Sequence, residues 1–230
     1  MGERFYVGYT LWMDSLQPIP RPAGLMQAGV APETHPLRLE IAAAAAQFIA
    51  DGGLDYASAK RKAIDAVLDG RPPPRGILPD NLEIDRALAE HLDLFDPDHA
   101  LRVMRMRRVA LDLMRRLADF QPYLTGAVWK GIVAEHAPIH LQLFYDDGKE
   151  IELRLLNDGI EFEVDEIAHF RDGGRTRVEA LQMIWRDEPV LISLYCHDDL
   201  RGALRSTPPE RGDILAVQGL LDAHLPGGPL

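Results

Sequence analysis

At Pro122 the chain changes character, and that change constrains the fold more than any other feature. Before it, apolar residues recur at steps of three and four; after it, they alternate or come in short β-prone runs. The order predicts an α+β protein in which helices come first and a sheet follows.

The helical half divides readily. A pattern opening at Leu37 runs through LRLEIAAAAAQFIADGG to a Gly52-Gly53 stop, and DYASAKRKAIDAVLDG opens on Asp55 and closes at Gly70. Pro72-Pro73-Pro74 forms a stiff connector, and a third helix follows Pro79 and Asp80 through NLEIDRALAEHLDLF. The clearest helix covers residues 97–120, with Val103, Met106, Ala110, Leu113 and Leu117 on one face. Its other side carries Arg105, Arg108, Arg115 and Arg116, which read either as an anion-binding surface or as a solvated face. The solvated face is the expectation, with Asp112 paired to Arg108 and Arg116 four residues away. Residues 1–36, rich in proline and glycine, predict an irregular arm with one strand from Arg4 to Trp12.

Beyond Pro122, the runs YLTGAV, IHLQLFY, FEVDEIAHF, RVEALQMIW and VLISLYC predict strands, with a helix through KEIELRLLNDGI after the second. Hairpin turns are expected over 171–175 and 186–189, and GDILAVQGLLDAHL closes the domain as a short helix. The predicted organisation is an arm over 1–36, a helical region over 37–96, an α+β domain over 97–225 and a tail over 226–230.

Composition narrows the function classes. A net charge of −11 argues against binding nucleic acid over the whole surface, since phosphate neutralisation needs cations. Lys60-Arg61-Lys62 is the densest basic run, and a solvated helix face is its expected role. One cysteine, Cys196, allows neither an internal disulfide nor a cysteine metal cluster, and a reducing cytoplasm fits. The N-terminus lacks a secretory pattern, and no apolar run reaches membrane-spanning length, so no membrane partner is expected. There is no P-loop, and Ser193 and Cys196 fall in a strand expected to be buried, without a recognisable base.

One segment carries the functional question. GAVWKGIVAEHAPIHLQLF places Gly126 and Gly131 at phosphate-cradling spacing and runs directly into a strand in which Leu141 and Leu143 face away from His140 and Gln142. Metal-assisted phosphoryl or nucleotidyl transfer needs two carboxylates two residues apart on such a strand, holding a divalent cation against substrate phosphates. Here the segment resembles the minimal nucleotidyltransferase family of the DNA polymerase β-like fold, whose motif has the form G-S-x-x-x-G, five residues, then S-D-x-D. Its glycines fall on Gly126 and Gly131, its serines on Ala127 and Ala137, and its two metal-binding aspartates on Pro138 and His140. The resemblance covers about residues 98–197 and implies a nucleotidyltransferase-like mixed sheet with flanking helices.

For activity the match is negative. Proline offers no ligand, and histidine offers nitrogen where magnesium prefers oxygen; the later strand VLISLYC lacks the third acid. The reading is therefore a catalytically degenerate member serving as a cytoplasmic binding or regulatory protein, with no catalytic residues and no cofactor. Its candidate ligand contacts are Gly126, Ala127, Lys130, Gly131, Glu135, His140 and Gln142, and a nucleotide or other phosphate is the candidate ligand. Two alternatives stand beside it. One is an active enzyme that uses magnesium or manganese through displaced ligands such as Glu135 and His140. The other is an interaction module recruiting a protein partner through the helical region. Glu135, His136 and His140 have ligand chemistry for zinc or manganese, but residues 136 and 140 lie about 13 Å apart along a strand; surface or capping roles are expected for the histidines.

Overall fold

The computed structural model describes residues 35–170, 175–203 and 210–223. The arm with its strand at Arg4–Trp12, the turn residues 171–174 and the tail lie outside the described residues.

Three helices come first: α1 (Pro36–Gly52), α2 (Tyr56–Leu68) and α3 (Asn81–Phe95). Each begins where local chemistry dictates. His35 caps α1 ahead of Pro36, the Asp55 carboxylate accepts from the Ala57 and Ser58 amides, and Asp80 and Glu83 form a reciprocal capping box. The alanine run supplies a narrow seam. Ile41, Ala42, Ala45, Ala46 and Ile49 are buried at helical spacing, and their small side chains let α1 approach Ala59 and Ala63 of α2 and Ile84, Leu88 and Leu92 of α3.

Helix α4 (His99–Arg116) leads through a 3-10 turn into β1 (Pro122–Thr125), α5 (Gly126–Lys130) and β2 (Ile139–Phe144). Then follow α6 (Gly148–Asn157), β3 (Glu163–Ala168), β4 (Arg177–Trp185), β5 (Glu188–Tyr195), α7 (Leu200–Ala203), β6 (Arg211–Gly212) and α8 (Ile214–Asp222). The strands form one mixed sheet in the order β3-β4-β5-β2-β1-β6. Strands β1 and β2 are antiparallel, whereas β2 and β5 are parallel, with α6 in the connection between them.

One side of the sheet is covered by helices. Met106 and Leu113 of α4, Ile151 and Leu155 of α6, and Val217 and Leu221 of α8 share a core with Leu124, Leu141, Leu143, Leu181, Ile192 and Leu194. As expected, Met106 and Leu113 are buried, and Arg105, Arg108, Arg115 and Arg116 are exposed.

Four expectations need correction. The strand read as Tyr123–Val128 ends at Thr125, because Gly126 adopts a φ of +71° and the chain turns into α5. Asp112 does not pair with Arg108 or Arg116. It lies beside the β4–β5 hairpin, where it accepts from Trp185 Nε1 at 3.0 Å and from Arg186 Nε at 2.8 Å, while Arg116 turns to Asp158. The hairpin itself is a two-residue turn, Arg186 and Asp187 both having positive φ, so Glu188 and Pro189 already belong to β5. Cys196 lies one residue past β5 and is exposed rather than buried in the strand.

Candidate functional site

Side chains alternate along β2, so the helix-covered core takes Ile139, Leu141 and Leu143 while His140, Gln142 and Phe144 project from the other face. Cross-strand register builds that second face. Thr125 of β1 and Leu191 of β5 lie beside His140, Tyr123 and Ser193 beside Gln142, and Tyr195 beside Phe144. Thr125 also pairs with Arg211 of β6, which places the arginine on the same face.

This face is polar at its centre and aromatic at its end. Gln142, Ser193 and Arg211 are all buried. Arg211 reaches across β1, donates from Nη1 to Gln142 Oε1, and lies with its guanidinium carbon 4.9 Å from the centre of the Phe170 ring. The Glu210 carboxylate stands 3.8 Å from Nη2, and the Arg211 Nε has no hydrogen-bond partner. Burial lowers the Arg211 pKa, yet a guanidinium stays charged in a folded protein, so this face holds a desolvated positive charge. Phe170 meets the Tyr195 ring edge-on at 4.8 Å, and Tyr195 stacks on Phe144. Burial also holds His140 below the ordinary imidazole value, which favours its neutral form.

The glycine turn beside this face is filled by protein. A Cβ at Gly126 would stand 3.4 Å from His140 Nδ1, at van der Waals contact, so the turn lies against the imidazole and it is the positive φ that calls for glycine. Gly131, with φ +74°, packs against Arg107, and a Cβ there would lie 3.0 Å from Nη2. Arg107 is buried and satisfies two carbonyls at the end of α5, donating from Nε to Val128 at 3.1 Å and from Nη2 to Trp129 at 3.0 Å. The loop that follows is also pinned from α4. His99 Nε2 accepts from the Val133 amide, and Arg102 donates to the Val133 carbonyl.

The sequence candidates thus separate. Gly126, His140 and Gln142 come together at the polar face, with Ala127 half-buried in α5. Gly131 lies at the far end of α5 on Arg107. Lys130 points to the helical region, where its Nζ meets Asp85 Oδ2 at 2.6 Å while the Tyr56 hydroxyl donates to Oδ1. Burial, together with that carboxylate, pushes the Tyr56 pKa upward. Glu135 and His136 are exposed in a turn ahead of β2. Among the described residues, no group of three or more His, Cys, Asp or Glu side chains is placed to hold a metal ion.

Sequence reading missed Arg107 and Arg211. The first had a signal: residues 103, 107, 110 and 114 follow one another at steps of four, three and four, so an arginine sits inside the apolar stripe. For Arg211 there was none, because a two-residue strand has no periodicity and its partner Gln142 lies 69 positions earlier.

Comparison with protein-family profiles, with curated proteins and with solved structures found no match to this chain. Among the described residues, no helix is long and apolar enough to cross a membrane. The fold is a mixed six-stranded sheet with α4, α6 and α8 on one side and a polar and aromatic face on the other.

Proposed function

We propose that this chain is a catalytically degenerate protein of the nucleotidyltransferase-like fold, acting in the cytoplasm as a binding or regulatory protein. The element order supports the fold reading: helix α4, strand β1, the short glycine-flanked α5, strand β2, helix α6 and the parallel strand β5 follow the order the resemblance implies.

One observation carries the functional reading. On the sheet face where the resemblance calls for carboxylates around a divalent cation, the chain has His140, Gln142 and Ser193, with the buried guanidinium of Arg211 across them. A desolvated positive charge repels magnesium and attracts an oxyanion, so the charge pattern of the face opposes two-metal chemistry and favours phosphate.

The reading is tested by equilibrium dialysis of a labelled nucleoside triphosphate against the full chain, with and without magnesium. Binding that persists without metal and weakens in Arg211→Met, at unchanged secondary structure, is the expected result. Binding that requires magnesium and ignores Arg211→Met would overturn it.

A further inference from the structure

The arginine side of α4 has a role beyond the solvated face expected of it. Arg108 and Arg115 of α4, Arg186 of the β4–β5 turn and the near side of α8 line an open cavity of about 390 Å³, within the size range of small-molecule sites. It lies among the helices, across the sheet from His140 and Arg211. In a chain of net charge −11, a cavity lined by three guanidinium groups and two carboxylates is locally positive.

Of the two carboxylates at the wall, Asp112 is paired with a cation and Asp222 is held by a neutral amide. Asp112 accepts from Trp185 Nε1 and from both Nε and Nη2 of Arg186, which fixes that guanidinium at the rim. Asp222 accepts from Gln218 Nε2 at 2.7 Å, and the Gln218 carbonyl oxygen accepts from Arg115 Nη2 at 2.6 Å. Arg115 is thus oriented by a neutral amide rather than by an ion pair. Arg108 has no ion pair or hydrogen bond among the described residues. Arg108 and Arg115 are seven residues apart, about 10 Å along the helix axis, and Arg186 is held between them by Asp112. Val109, Leu111 and Leu221 form an apolar wall behind the cations.

We propose that this cavity binds a small polyanion, a molecule with two or more phosphate or carboxylate groups spread along the arginine row. Guanidinium groups match such oxyanions by paired N–H donors, and a row of cations rewards several linked charges over one. The site is independent of the proposed ligand face, and either proposal can fail while the other stands.

Isothermal titration of the full chain at low salt with orthophosphate, tripolyphosphate and citrate tests it. Tripolyphosphate or citrate is expected to bind at least about tenfold more tightly than orthophosphate, and the two compounds distinguish a phosphate from a carboxylate source. Measured in the Arg211→Met background, so that any anion held at the sheet face is not counted, Arg108→Gln combined with Arg115→Gln should weaken that binding about tenfold or more. Both substituted side chains are exposed, so the double variant should keep the wild-type circular dichroism and melting temperature. No saturable heat up to about 10 mM, which is weaker than a millimolar constant, would overturn the proposal. So would binding indifferent to the double substitution, and binding lost instead in Arg211→Met would assign the anion to the sheet face.

Discussion

The two faces of one strand, β2, teach different lessons. Ile139, Leu141 and Leu143 are apolar and fully buried under helices, and nothing about them suggests a function. One residue out of step, His140 and Gln142 are also covered, yet by an arginine, a glycine turn and aromatic rings rather than by a helix. Burial on the first face follows from the hydrophobic effect and stabilises the fold. Burial of polar groups on the second costs free energy unless each finds a partner, and the Arg211 Nε has none. A polar cluster kept at such a cost marks where binding is to be sought.

Substitutions can break that contrast. The largest expected effect is on the helix side: in an Arg211→Met background Leu141→Ala should still lower unfolding free energy by about 2–5 kcal/mol in urea denaturation, whereas Gln142→Leu, whose cost in the wild type comes from stripping Arg211 Nη1 of its acceptor, should there cost far less. Equal losses at the two positions would erase the distinction between the faces. The same alternation recurs in β6, where Arg211 faces the polar side and Gly212 packs against the Trp129 indole so closely that any Cβ would overlap the ring. Gly212→Ala should therefore destabilise by about 1–3 kcal/mol, read as a drop in melting temperature; an unchanged melting temperature would show that Trp129 moves aside freely.

Along α4 the contrast sharpens between neighbours. Arg107→Met leaves the Val128 and Trp129 carbonyls without their donor and should cost about 1–3 kcal/mol, while Arg108→Met, on the exposed side, should stay within about 0.5 kcal/mol. Similar costs for the two would mean that Arg107 does not hold the glycine turn. The smallest effect concerns pH. His140 in the folded chain has a pKa below the ordinary 6.5, so the unfolded chain takes up a proton first as pH falls. The contribution of neutral His140 is present above that value and lost as pH drops below it. His140→Gln should then lose less stability than wild type between neutral and mildly acidic pH, and parallel stability profiles for the two would show that the imidazole is not desolvated.

Much of this was legible in the sequence because long elements repeat their signals. The caps at Asp55 and Asp80 and the stripe from Val103 to Leu117 mark α2, α3 and α4, and alternation from Ile139 to Phe144 marks β2 and both its faces. The short helix α5 was not legible. Its five residues, GAVWK, are too few for a helical period and include β-prone Val128 and Trp129, and only the backbone turn at Gly126 ends the strand. Of the site, His140 and Gln142 were visible as alternate residues of a strand. What surrounds them depends on distant pairings, such as Arg211 with Gln142 and Lys130 with Asp85, which no local pattern encodes.

The central claim is that this frame binds without transferring, and a label-transfer assay tests it most directly. Purified chain would be incubated with labelled nucleoside triphosphates, magnesium or manganese, and cell extract as acceptor, beside His140→Ala and Gly126→Trp variants. The account predicts no incorporation above background for any of the three, since on the proposed reading Pro138 and His140 stand where two-metal displacement requires carboxylates. Robust label transfer by the wild type that disappears in His140→Ala would contradict it.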